Sequence, residues 1–297
     1  MKRIAFLILS VLLTVSVFAQ DPGATEKNAG NAAVKAKNYP EAFKQYEAYL
    51  KIVNNKDNAT VYNTAYCATK IKNYAAAEKY FDMSIKNNYK GASSYLGKAQ
   101  AQKSQNKTAE MLTTLQDGMK AFPGNMKLET MYAAYYMKEG QTFQKAGDEA
   151  KAAENYTKVV NLTTKSFKTQ GLASLASLYF NNGAKILQAA TPIANSDKAK
   201  YDAEKAKAVN DFKKAKDYLV QAQSLDPANQ DVKDLMKQQQ QQRFLFEQQR
   251  QHLLEQAIRQ QQLFVHRASG GTGERDGCGQ GQQQRQGQVY HLYRPGE

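Results

Sequence analysis

The chain has 297 residues, with 41 lysines and arginines against 27 acids and a formal net charge of +14. An apolar content of 42% excludes a wholly disordered chain and fits a globular or repeat protein. The three histidines all lie at or beyond His252, so residues 1–251 hold no Ser-His-Asp or Cys-His triad and no histidine metal site.

At the N-terminus, Lys2 and Arg3 precede an apolar stretch from Ile4 to Val17 that is broken by Ser10, Thr14 and Ser16. Val17-Phe18-Ala19 then places compact residues where a signal peptidase reads them. The pattern predicts a signal peptide cleaved after Ala19 and a periplasmic or secreted mature protein. An uncleaved anchor is the alternative, but the run is shorter than the roughly 20 residues that span a bilayer. Gln20, and not a cysteine, stands directly after the cleavage point, so no lipoprotein anchor is expected. Cys67 sits among small residues in a helical pattern and reads as buried; nothing in the sequence pairs it with Cys278.

A phrase then recurs. Asn38-Tyr39-Pro40-Glu41-Ala42 leads into Tyr46 and Tyr49, Asn73-Tyr74-Ala75-Ala76-Ala77 into Phe81 and Ser84, and Gly147 to Ala152 into Tyr156 and Val159. Steps of four and three place these residues on one face of a helix. Upstream, Gly30, Ala65 and Gly140 each lie twelve residues before Ala42, Ala77 and Ala152. A helix, a short turn and a second helix would bring each small pair together, with the larger residues filling the gap to the next hairpin.

This pattern resembles the tetratricopeptide repeat, a helix-turn-helix unit of about 34 residues. The resemblance implies an all-α fold, an α-α superhelix forming a right-handed solenoid of about five hairpins. Units are expected near 23–56, 58–91, 92–125, 133–166 and 176–229. In the third, Gly97 and Ala99 open helix A while Met111, Leu115, Gly118 and Pro123 close the unit, which calls for two extra residues in its turn. In the fifth, Tyr179 and Gly183 pair with Ala215, Leu219, Ala222 and Pro227 across Thr191 to Asp197 and a Lys/Ala-rich run. That spacing predicts a lengthened hairpin with Asp197 as a helix cap. A generic helical bundle is the plainer alternative.

From Lys237 the composition breaks. No arginine occurs between residues 4 and 242, seven follow, and no lysine follows Lys237. The repeat array is therefore expected over residues 20–236, and residues 237–297 read as a separate Gln/Arg/Gly-rich tail: a helix over Phe244 to Val265, capping the solenoid or associating between chains, then disorder from 268. An out-of-frame read of the coding sequence would produce the same swap.

Catalytic motifs are absent. Gly270-Gly271-Thr272-Gly273 lacks the lysine of a phosphate loop. Asp148/Glu149 and Asp231/Asp234 read as solvated or capping carboxylates. No catalytic residue, cofactor or metal is expected. Residues 20–237 carry +10, mostly lysines interleaved with acids as on a solvated helix face. Nucleic acid is not an expected partner.

The resemblance further implies that the exposed side of helix A lines a groove for a protein or peptide. Matching positions are Lys27 and Asn31; Tyr62, Asn63, Tyr66 and Lys70; Lys98 and Gln102; and Met137, Gln141 and Lys145. Amides both donate and accept, and tyrosines add rigid contact area, which suits a peptide backbone. Lys27, Asn31 and Asn63 resemble part of the family's carboxylate clamp, but Gly91 and Tyr95 stand where two basic residues would complete it. The expected function is an exported, non-enzymatic interaction scaffold; the alternative is a structural protein that binds cell wall or anionic polymer.

Overall fold

The computed structural model describes residues 21–269. The signal-peptide cleavage expected after Ala19 and the disorder expected beyond 269 lie outside the described residues. Two compact units divide after Gln239. The first is a solenoid of helical hairpins: α1 (Ala24–Lys35) with α2 (Tyr39–Ile52), α3 (Asn58–Lys70) with α4 (Tyr74–Lys86), and α5 (Ala92–Ser104) with α6 (Thr108–Ala121). Two more follow, α7 (Met126–Ala146) with α8 (Glu149–Val160), and α9 (Lys165–Ala190) with α10 (Lys198–Leu225). The long α11 (Gln230–Ser269) begins in this unit, and its remainder from Gln240 belongs to the second. The expected tail helix over 244–265 falls inside α11. No strand occurs among the described residues.

The same turn closes four hairpins. Lys37, Lys72, Asn106 and Gly147 take the left-handed conformation, with φ of 57°, 60°, 59° and 79°. Each following residue donates its backbone N–H five residues back: Asn38 to Ala33, Asn73 to Ala68, Lys107 to Gln102 and Asp148 to Phe143, at 2.8–3.0 Å. Such bonds satisfy carbonyls orphaned at a helix end. Three of those residues then start the next helix, because Asn38, Asn73 and Asp148 accept the N–H of Glu41, Ala76 and Lys151. Asp148 is thus a capping carboxylate, as its sequence position suggests.

The core follows the repeated phrase. Ala42, Ala65, Ala77, Ala152 and Ala215 are fully buried, and Tyr46, Phe81 and Tyr156 nearly so. Burial of each such large side chain contributes about 1.5–3 kcal/mol. Pro227 stands in the turn between α10 and α11. Cys67 is buried, and burial pushes its thiol up to about 11.

Two expectations are corrected. The turn of the third hairpin, Gln105–Lys107, is three residues long like those of the first and second, with no insertion. Ala99 and Met111 form the pair twelve apart, both buried in one cluster. Gly97 serves another contact: the Phe81 ring of the preceding hairpin fills the space beside it. Taking Gly97 as the hairpin's small residue displaced the count by two.

The fourth and fifth hairpins also start earlier than the motif indicates. Helix α7 begins at Met126, seven residues before 133, because Asn125 caps it by accepting the N–H of Leu128. Helix α9 begins at Lys165, eleven residues before 176, and runs to a short 3-10 turn at Thr191–Ile193. Asp197 then starts α10 by accepting the N–H of Lys200 at 3.0 Å. The fifth hairpin is lengthened at both ends.

Candidate functional site

Helix A of one hairpin touches helix A of the next: α3 meets α5, α5 meets α7 and α7 meets α9. Their outward faces are therefore neighbours. Asn31, Asn63, Tyr66, Lys70, Gln141 and Lys145 are exposed there, Lys27, Tyr62, Lys98 and Met137 half-buried, and Gln102 only 3% exposed.

Four of these residues are committed between helices. Lys27 donates to Asp57 Oδ2 at 2.7 Å, where the Tyr49 hydroxyl and the Thr60 backbone and hydroxyl also converge. Burial alone would raise the Asp57 carboxyl, but these donors outweigh it and hold it down at about 2. Lys98 pairs with Asp82 at 2.6 Å, and Gln102 donates to Glu78 at 3.0 Å. Gln105 and Lys107 meet the same Glu78, both at 2.8 Å. Tyr62 packs edge-on against Phe81 and Tyr89. Lys98 and Gln102 pack helix A on helix B of the previous hairpin, whereas Tyr62 meets helix B of its own hairpin and Lys27 the residue that caps α3. The expectation that Lys98 and Gln102 line an open groove is corrected accordingly.

The partial carboxylate clamp is not free either. Lys27 belongs to Asp57, while Asn31 Oδ1 accepts the Tyr46 hydroxyl at 2.8 Å and Asn63 also interacts with that hydroxyl. Tyr66 sets its edge against Tyr39, and Lys70 lies over both rings.

Met137 and Gln141 are brought together in an open cleft of about 540 Å³. With Gln144 they form its α7 wall, and Ser166, Gln170, Ser174 and Ser177 form the α9 wall. Tyr156 and Phe167 supply aromatic surface, and Asn229, Asp231 and Val232 close one side from the start of α11. The Tyr156 hydroxyl donates to Gln144 Oε1 at 2.7 Å, which fixes that amide. Gln141 and Gln170 have no partner within the described chain, so both are available to a ligand.

A solved structure of a TPR repeats protein from Bacteroides fragilis is 47% identical to this chain. The match covers 75% of this chain and 100% of that one, at a TM-score of 0.70. The chain belongs to the tetratricopeptide repeat family.

More distant likenesses include MamA, at 18% identity over 66% of this chain and 91% of its own, with a TM-score of 0.35. The TPR2AB domain of yeast Sti1, solved in complex with pHSP90, is 16% identical over 73% of this chain and 98% of its own, at 0.32. No family model matches the sequence, and no curated protein does.

Within this TPR array the sequence pattern missed Gln170, Ser174, Asn229 and Asp231. The fourth unit is expected to end at 166 and the fifth to begin at 176, which leaves Gln170 and Ser174 of the α9 wall outside any repeat. A detectable pattern was present: Phe167, Gly171, Leu175 and Leu178 recur at steps of four and three, as one helix face requires.

Proposed function

We propose that the protein is a non-catalytic scaffold that holds a peptide or a partner protein in the cleft between α7, α9 and the start of α11. The observation that carries this reading is the pair Gln141 and Gln170, facing an open cleft from adjacent A helices with their amides unpaired. Such groups match the alternating donors and acceptors of a polypeptide backbone. A photo-crosslinker placed at Ser174 in the mature chain should capture one discrete protein from cell-envelope extract. Gln141→Arg with Gln170→Arg should abolish that capture; capture of the same protein by the double variant overturns the cleft as the site.

Export to a bacterial envelope is part of the same proposal. Lys2, Arg3, the apolar run to Val17 and Ala19 support it. No described helix is long and apolar enough to cross a membrane. N-terminal sequencing of the protein from a fractionated bacterial host should begin at Gln20; a cytoplasmic protein retaining residues 1–19 overturns it.

A second reading, binding of an anionic polymer, draws on one observation. Lys35, Lys70, Lys103 and Lys145 each stand exposed in the last turn of helix A, and none is ion-paired among the described residues. Binding to purified wall material that vanishes at moderate salt would favour it, since exposed charges are screened.

A further inference from the structure

The cleft's charge points to which segment of a partner it holds, and this inference rests on the peptide-binding reading above. Among the described residues lining the cleft, Asp231 alone carries a formal charge. Everything else there is amide, hydroxyl, thioether, aliphatic or aromatic. Asp231 is solvent-exposed, and no hydrogen bond or ion pair within the described chain engages its carboxylate. This contrasts with the carboxylates deeper in the array, for Asp57, Glu78 and Asp82 each hold a lysine. Asn229, beside it, is committed, since its Oδ1 accepts the N–H of Val232 at 3.0 Å.

We infer that the cleft takes a segment with a lysine or arginine flanked by uncharged polar residues, the cation meeting Asp231 and the neighbouring backbone meeting Gln141 and Gln170. An acidic segment or a terminal carboxylate would bring like charge to Asp231 with no cation among the lining residues to offset it. The selectivity is opposite in sign to that of a carboxylate clamp. Glutamines on facing helices grip the main chain whatever its sequence, and the single carboxylate sets the preference.

The test uses the mature full chain and acetylated, amidated heptapeptides with a central Lys, norleucine or Glu flanked by Ala, Ser and Asn. Fluorescence anisotropy should show the Lys peptides binding at least about threefold tighter than the norleucine peptides, within the range of an exposed ion pair. Glu peptides should bind weakest. Asp231→Asn should erase the Lys preference while leaving norleucine peptides unchanged, with the same melting temperature as the parent. Raising the salt should shrink the preference in the parent alone. Equal binding of all three peptides, or an Asp231→Asn chain that keeps its preference, overturns the inference and leaves the cleft as a peptide site. Failure of every peptide to bind, together with unchanged partner capture by the Gln141→Arg and Gln170→Arg chain, overturns both.

Discussion

The ring of Tyr46 fills the space that a side chain on Gly30 would need: a Cβ there would lie 2.5 Å from Cδ1 and Cε1 of the ring. Gly140 stands in the same relation to Tyr156, again sixteen residues later, with its nearest ring atom at 2.5 Å. The small residue of helix A is thus a seat for the aromatic of helix B. Spacing alone had paired it with the alanine twelve residues on. Both rings are almost fully buried and cannot swing away.

Gly140→Ala should therefore destabilise the array, although alanine is the better helix former. The propensity gain is about 0.5–1 kcal/mol, whereas overpacking a close-packed core costs about 1–3 kcal/mol. The expected net is a loss of about 1 kcal/mol in urea unfolding. In a Tyr156→Leu background the same change should become neutral or stabilising. A loss of equal size in both backgrounds would show that the ring is not the cause.

Lys37 and Lys72 hold left-handed turns that suit glycine, and neither is ion-paired among the described residues. The left-handed conformation costs an L-residue about 1–2 kcal/mol, partly offset by the entropy glycine loses on folding. Lys37→Gly and Lys72→Gly should each raise stability by about 0.5 kcal/mol in chemical denaturation. Asn106→Gly should gain less, because asparagine tolerates this region. A larger gain at Asn106 than at the lysines would contradict this account of the turns.

The hairpins were legible because their contacts are local: Asn38 and Asn73 cap, Ala42 and Ala77 bury, and Tyr46 and Phe81 follow at helical spacing. The cleft was not. Its α9 wall precedes the fifth unit's motif, and Asp231 reaches it from the helix that follows the last hairpin. Nor does helical spacing tell an outward lysine from one that reaches back to the previous hairpin. Lys70 and Lys98 are both expected to line the groove, yet Lys98 has Asp82 of α4 within 2.6 Å.

Asp57 joins three helices, receiving Lys27 of α1, Tyr49 of α2 and Thr60 of α3. Its carboxyl, held at about 2, titrates lower in the folded chain than the ordinary 3.8. The folded state then binds fewer protons than the unfolded state in that window, so stability falls as pH falls. The contribution is complete above about pH 4, is lost as pH drops toward 2, and amounts to about 2 kcal/mol at most. Asp57→Asn keeps the helix cap and removes the charge. Its deficit against the parent should be largest at neutral pH and close as the pH nears 2; a deficit constant with pH would assign the loss to packing instead.

Glu129 is the array's most deeply buried carboxylate among the described residues, 2% exposed on α7. It accepts the backbone N–H of Thr163 at 3.0 Å and of Thr164 at 2.8 Å, the two residues immediately before α9. Burial disfavours its charge, but the donors from Thr164 and Thr163 win and leave its carboxyl below the usual range. One side chain thereby caps a helix more than thirty residues away and ties the fourth hairpin to the fifth, whose α9 forms one wall of the cleft. Glu129→Gln retains the size but turns an N–H donor toward a pair of N–H donors, leaving at least one unpaired. A buried unsatisfied group costs about 1–3 kcal/mol. Hydrogen exchange should speed up at the start of α9 and leave α3 and α4 unchanged. Partner capture at the cleft should weaken in step with the opening of α9; unchanged exchange there would mean that Glu129 holds nothing that the rest of the packing does not.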